Sequence, residues 1–186
     1  ARTPRWRLVA RSLDHRVAAV GYRLEEVGGR RMLPDRLAAA GVHGADIGRL
    51  QRSGRVEIGS RVVHLEEVSE PRPGQVFAFV MDTRWCDGAL ALAAGADLLV
   101  CEATFLDRDR DLAGRYGHLT ARQAAQLALE AGARRLVLTH FSQRYGDDVA
   151  PFEAEARAVF PHAVAARDLD RFAIPRRRPA RPRTSA

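Results

Sequence analysis

Three short apolar runs constrain the fold of this chain more than any other feature. They are Gln75–Val80 (QVFAFV), Asp97–Cys101 (DLLVC) and Arg135–Thr139 (RLVLT). Each is too short for a helix and apolar without alternation, the pattern of strands buried on both faces. Helical segments separate them. Asp87 to Ala94 is closed by Gly95, Leu106 to Tyr116 reads as helical, and Thr120 to Ala131 carries capping-box spacing at Thr120 and Gln123 with Gly132 as its stop. Strand–helix–strand–helix–strand predicts an α/β domain with helices packed on a sheet.

The flanking segments are less regular. Trp6 to Leu13 and Val17 to Glu25 read as two strands with His15 at the turn between them. Gly28-Gly29 interrupts that pattern. Pro34 to Ala40 is a short helix with Pro in its first turn and Gly41 after its end, and Asp46 to Arg52 is another. Arg55 to Leu65 forms a small hairpin around Gly59-Ser60, and Pro71-Arg-Pro-Gly74 is a turn. A helix near Phe152–Val159 and a last strand near Phe172–Ile174 follow. The Arg/Pro-rich tail at 175–186 is expected to be disordered.

Composition excludes some classes. No apolar run approaches the ~20 residues that a membrane span needs, so no membrane association is expected. The first residues show no signal-peptide core, and Cys86 and Cys101 are the only cysteines, which points to a cytoplasmic protein without a disulfide framework. All thirty basic residues are Arg, and the net charge is +7. Five of those Arg lie in the tail, so the body of the chain carries about +2 (7 minus 5). Charge favours an anionic partner such as RNA or DNA but does not identify one.

The chemistry sits at the strand ends. Asp82 follows the first buried strand, Glu102 the second and His140 the third. Strands of an α/β sheet deliver functional groups at their carboxyl ends, where side chains from separate strands converge. His15 at another strand end and His118 before a capped helix extend the set. Imidazole and carboxylate donors suit Zn²⁺ or Mn²⁺, and paired ions serve in-line attack on a phosphodiester. Each residue alone has an ordinary structural reading: Asp82 as a turn cap, Glu102 as a cap for the next segment, His140 as a hydrogen-bonded strand-end residue. Their joint placement points to a site.

Two long strings, Met81–Phe105 (MDTRWCDGALALAAGADLLVCEATF) and Gly117–Tyr145 (GHLTARQAAQLALEAGARRLVLTHFSQRY), resemble signature stretches of the ribonuclease Z family, the tRNA 3′-processing endoribonucleases; Leu13–Glu26 resembles the same family further upstream. The match runs in order over roughly residues 5–174. The resemblance implies the C-terminal portion of a metallo-β-lactamase αββα sandwich at 1–174, with a tRNA-binding arm inserted at 29–72. It implies His15, Asp82 and His140 as metal ligands, Asp82 bridging two Zn²⁺ ions. Glu102 and His118 would form the catalytic pair that protonates the leaving 3′-oxygen, since a carboxylate beside an imidazole favours the imidazolium. Ser142 and Arg144 are candidate phosphate contacts. The implied reaction is removal of the 3′ trailer of pre-tRNA by a homodimer, leaving a 3′-hydroxyl on the tRNA.

The sequence departs from the family in several places. Met81 stands where the family has Gly before Asp-Thr, Cys101 replaces the His of the His-Glu-Ala-Thr motif, and Gly44-Ala45-Asp46 replaces the Gly-Pro element of the arm. The family's His-x-His-x-Asp-His cluster is not found among the six histidines. The chain is therefore expected to be incomplete as a catalyst and inactive alone. Two rival readings are a related hydrolase of a small ester or cyclic nucleotide, and a non-catalytic tRNA-binding remnant.

Overall fold

The computed structural model describes residues 5–177. The chain divides into two compact units. One comprises the described residues up to Val27 together with Gln75–Arg176; the other holds Gly28–Gly74 and Arg177.

The first unit is built on a six-stranded sheet. Its strands are β1 (Trp6–Leu13), β2 (Ala19–Glu26), β7 (Val76–Val80), β8 (Leu98–Glu102), β9 (Leu136–Thr139) and β10 (Ala163–Ala165), in the spatial order β1-β2-β7-β8-β9-β10. β1 and β2 form an antiparallel pair, β2 runs antiparallel to β7, and β7, β8, β9 and β10 are parallel. The carboxyl ends of β1, β7, β8 and β9 therefore share one edge of the sheet.

Register sorts the side chains onto two faces. One face carries Val9, Leu13, Ala78, Val80, Leu99, Cys101, Leu136 and Leu138. Against it pack α3 (Asp87–Ala93) on β1, β2 and β7, α5 (Ala121–Glu130) on β8 and β9, and α6 (Ala150–Arg157) on β10. Leu92, Leu127 and Phe152 are fully buried in this core. α4 (Arg110–Tyr116) follows a 3-10 turn at Asp107–Asp109. The other face aligns Trp6 and Leu8 with Leu24 and Tyr22, then Phe77 and Phe79, Val100 and Val137. That face is apolar yet open: Leu8 is 65% exposed and Tyr22 44%.

The expected helix at Thr120 is present with both halves of its capping box, Thr120 accepting from Gln123 N and the Gln123 side chain accepting from Thr120 N. Three expectations need correction. The last strand is Ala163–Ala165, not Phe172–Ile174. Its three residues carry too little β-propensity to be read, whereas Phe172 lies beneath the Arg135 guanidinium and the Ile174 carbonyl accepts from Gln75. The expected Leu106–Tyr116 helix is present, opening on a 3-10 turn where Asp107 N is held by the Glu155 carboxylate. β2 starts at Ala19 instead of Val17. The turn at Pro71 is displaced because Pro71 lies in a strand, as an edge position permits. The expected disordered tail lies, from residue 178 onward, outside the described residues.

The second unit has its own small core of Leu37, Val42, Leu50, Val56, Val63 and Val68. β3 (Gly29–Met32) pairs with β6 (Ser69–Arg72), and β4 (Arg55–Ile58) with β5 (Arg61–His64) as the expected hairpin. Helices α1 (Pro34–Ala39) and α2 (Ala45–Ser53) lie between β3 and β4 in the chain. Arg49, Arg52 and Arg55 line a cleft of about 700 Å³ beside Val56 and Val62.

Candidate metal centre

The shared carboxyl edge of the sheet is where the expected residues meet. Asp82, His118 and His140 each offer a donor atom, and these lie within 4.8 Å of one another. His140 Nε2 and Asp82 Oδ1 are 3.2 Å apart. His15 stands beside this trio and not within it: the imidazoles of His15, His118 and His140 form a row with ring centroids 4.8 and 5.3 Å apart. The group that meets most closely thus contains His118, expected as a proton donor, and not His15, expected as a ligand.

Backbone geometry aims two of the donors. Asp82 has φ 54° and His140 φ 62°, left-handed values that place them with Leu169 as the non-glycine residues of positive φ among those described. Each breaks the extended run directly after a buried strand, and non-glycine residues hold such values where the surroundings compel them. Met81, which replaces the family glycine, is not among them, so its side chain adds no strain of this kind.

Glu102 organises the loops from beneath. It is the last residue of β8 and fully buried, so it lies under the site and not at its mouth. Its carboxylate accepts from Thr83 N at 2.6 Å, Leu119 N at 3.0 Å, Thr104 Oγ1 at 2.6 Å and His118 Nδ1 at 3.0 Å. Burial alone would push this carboxyl up; the hydrogen bonds from His118, Thr104 and Thr83 prevail and hold it below the ordinary value. Thr83 and Leu119 adjoin Asp82 and His118, so a single side chain ties two donor loops together.

A second tie uses Arg84. Its guanidinium binds Asp14 Oδ1 at 2.9 Å and Gly114 O at 3.0 Å, while Asp14 N donates to Thr83 Oγ1 at 3.1 Å. The turn carrying His15 is thereby fastened to the loop of Asp82 and to α4. His15 Nδ1 lies 2.8 Å from Gly117 O. A carbonyl only accepts, so Nδ1 carries the hydrogen and Nε2 is free. Gly117 itself is required: its φ is 87°, and a Cβ there would come within 2.8 Å of His15 Nδ1. Gly117, Thr83, Thr104 and Arg84 were not singled out from sequence; the one signal available was that each lies within two residues of a candidate donor or acid.

Ser142 and Arg144 behave differently. Ser142 N donates to Thr104 O at 3.0 Å, which fastens the turn after His140. The Arg144 guanidinium faces Asp109 at 3.5 Å and lies over the Phe105 ring. Cys101 is buried in the core on the helical face, and burial raises its thiol well above the ordinary range.

The donor chemistry fits a divalent cation. One carboxylate and three imidazoles converge, and His15 and His118 each commit Nδ1 to an acceptor, the arrangement that turns Nε2 toward a metal.

Residues 38–141 match the family model described as a beta-lactamase superfamily domain. The chain belongs to the beta-lactamase superfamily. Among its superfamily relatives, proteins named ribonuclease Z from Nocardia farcinica and Streptomyces coelicolor are 59% and 57% identical over 90% and 95% of this chain. The chain spans 55% and 58% of their lengths. The solved structure of human tRNase Z, short form, superposes with a TM-score of 0.54 at 24% identity, covering 94% of this chain and 46% of that one. The metallo-beta-lactamase fold protein YhfI from Bacillus subtilis gives 0.54 at 19% identity, covering 89% and 48%. The fold is the metallo-beta-lactamase fold, and the resemblance to ribonuclease Z read from sequence is carried by relatives of that name.

Proposed function

We propose that this chain supplies one face of the active centre of a zinc-dependent endoribonuclease that removes the 3′ trailer of pre-tRNA. The observation that carries this reading is the meeting of Asp82, His118 and His140 within 4.8 Å, in a chain 59% identical to a protein named ribonuclease Z. Asp82, His140 and His15 would hold the cations, which supply the charge that activates water and stabilises the phosphorane-like transition state. His118, its Nδ1 on Glu102, would carry a proton on Nε2 to the leaving 3′-oxygen. Ser142 and Arg144 would contact a phosphate, for which Arg144 would have to leave Asp109.

The unit at Gly28–Gly74 is assigned the role of tRNA-binding arm. Support comes from the cleft where Arg49, Arg52 and Arg55 converge, a surface suited to phosphates. Two free cysteines accord with a cytoplasmic setting. Among the described residues no helix is long and apolar enough to cross a membrane. A homodimer completes the reading by resemblance to the family.

The test is cleavage of a pre-tRNA by the full-length protein with Zn²⁺ or Mn²⁺, with the product ends mapped. Cutting 3′ of the discriminator nucleotide, leaving a 3′-hydroxyl, is the expected result. Cleavage of a small cyclic nucleotide with no cut in pre-tRNA would overturn it. Reversing charge at Arg52 and Arg55 should raise KM for pre-tRNA and lower the salt dependence of binding by roughly one unit of slope per lost phosphate contact, with kcat kept.

A further inference from the structure

Thr104 lies between the two halves of the centre and belongs to neither its donors nor its acid. Its side chain is 7% exposed. Its Oγ1 stands 2.6 Å from Glu102 Oε2 and 2.8 Å from His140 Nδ1. A continuous path of hydrogen bonds therefore runs from His118 Nδ1 through Glu102 and Thr104 to His140 Nδ1, joining the back nitrogens of two imidazoles.

The direction of each bond follows from counting hydrogens. Glu102 receives two backbone N–H groups, from Thr83 and Leu119, and the ring N–H of His118. With both oxygens occupied by donors, the group is an acceptor toward Thr104. A hydroxyl has a single hydrogen, so Thr104 spends it on Glu102 and its oxygen can only accept from His140. His140 must then carry a hydrogen on Nδ1, which leaves Nε2, 3.2 Å from Asp82 Oδ1, as the nitrogen that a bound cation would take.

We propose that Thr104 is a positioning residue: its hydroxyl fixes the tautomer and ring orientation of His140 and couples that ring to the buried Glu102. The inference rests on reading the cluster as a metal site. It assigns to this side chain the part that Gly117 O plays for His15 and Glu102 plays for His118. Thr104 is the residue two beyond Glu102, and its hydroxyl reaches the carboxylate at 2.6 Å. Valine has nearly the same shape but cannot pass the bond on; serine can.

The full-length protein tests this through Zn²⁺ affinity, measured by competition with a chromophoric chelator. Thr104→Val should weaken Zn²⁺ binding about 10–100-fold, and Thr104→Ser should restore it to near the parent value. Equal affinity for parent and Thr104→Val overturns the proposal, as does a Thr104→Ser protein as weak as the valine one. Should the valine variant not fold, long-range ¹⁵N–¹H spectra of the metal-free parent decide directly. They should show His140 protonated at Nδ1, and protonation at Nε2 alone overturns the assignment. A parent that binds no Zn²⁺ defeats the proposed function, and the tautomer measurement still decides the role of Thr104.

Discussion

Asp82 and His140 hold left-handed backbone conformations, each costing on the order of 1–3 kcal/mol. The cost is offset by neighbours that leave them no alternative: Thr83 N is held on Glu102, and Ser142 N on Thr104 O. The same network makes His118 the residue on which the division of roles is tested. Its Nδ1 sits on a buried carboxylate, as for a proton donor, yet its ring stands inside the closest donor group. In the full-length protein His118→Ala should lower kcat by ~10²–10⁴ with metal content nearly unchanged, whereas His140→Ala should lose metal as well as activity. Metal analysis and single-turnover cleavage check both; loss of metal on His118→Ala would show it to be a ligand. The sequence made the candidate donors legible because each follows a strand or precedes a capped helix. It could not reveal Gly117, Arg84 or Thr104, whose parts depend on contacts such as the one joining Gly117 to His15 across 102 positions.

Elements that were legible are those in which local preference and tertiary packing agree. The Thr120 helix has its capping box, its glycine stop and a buried face of small residues, and β7, β8 and β9 are buried on the helical side throughout. The strand misread, β10, is short, and the segment read in its place is held from outside by Arg135 and Gln75. The turn at Gln143–Tyr145, just beyond His140, is likewise held from outside. Tyr145 OH donates to Asp109 and accepts from Leu106 N at 3.2 Å. Burial, with the Asp109 bond adding to it, holds this phenol above the ordinary tyrosine range. An acid raised on folding keeps its proton longer in the native state than in the unfolded one. Its contribution is therefore full below about pH 10 and falls as pH rises through the native value. Tyr145→Phe should cost about 1 kcal/mol at neutral pH, and parent and variant should converge in strongly alkaline solution. Urea unfolding of both proteins at pH 7 and pH 11 measures this; an unchanged difference would remove the linkage.

At the scale of the whole molecule, the sheet poses a problem of surface. One face is covered by α3, α5 and α6, while the other presents Trp6, Leu8, Val20, Tyr22 and Phe79 to solvent. Their register sets them in one continuous apolar band across β1, β2 and β7, larger than scattered surface hydrophobes require. The metallo-beta-lactamase fold is a sandwich, and the relatives that match this chain extend well beyond it; a second sheet over this face would bury the band. The 186-residue chain alone should consequently self-associate or precipitate, and cleave pre-tRNA far below ordinary enzyme rates of ~1 s⁻¹. Leu8→Glu together with Tyr22→Glu should restore a monomer, because charges on this face oppose stacking of two open sheets. The same pair of substitutions in the full-length protein should destabilise it by several kcal/mol, because two carboxylates would be buried without partners. Light scattering on the isolated chain and thermal unfolding of the full-length protein read the two halves of the prediction. An isolated chain that is monomeric without the substitutions, or a full-length protein indifferent to them, would show that this face is not a packing surface.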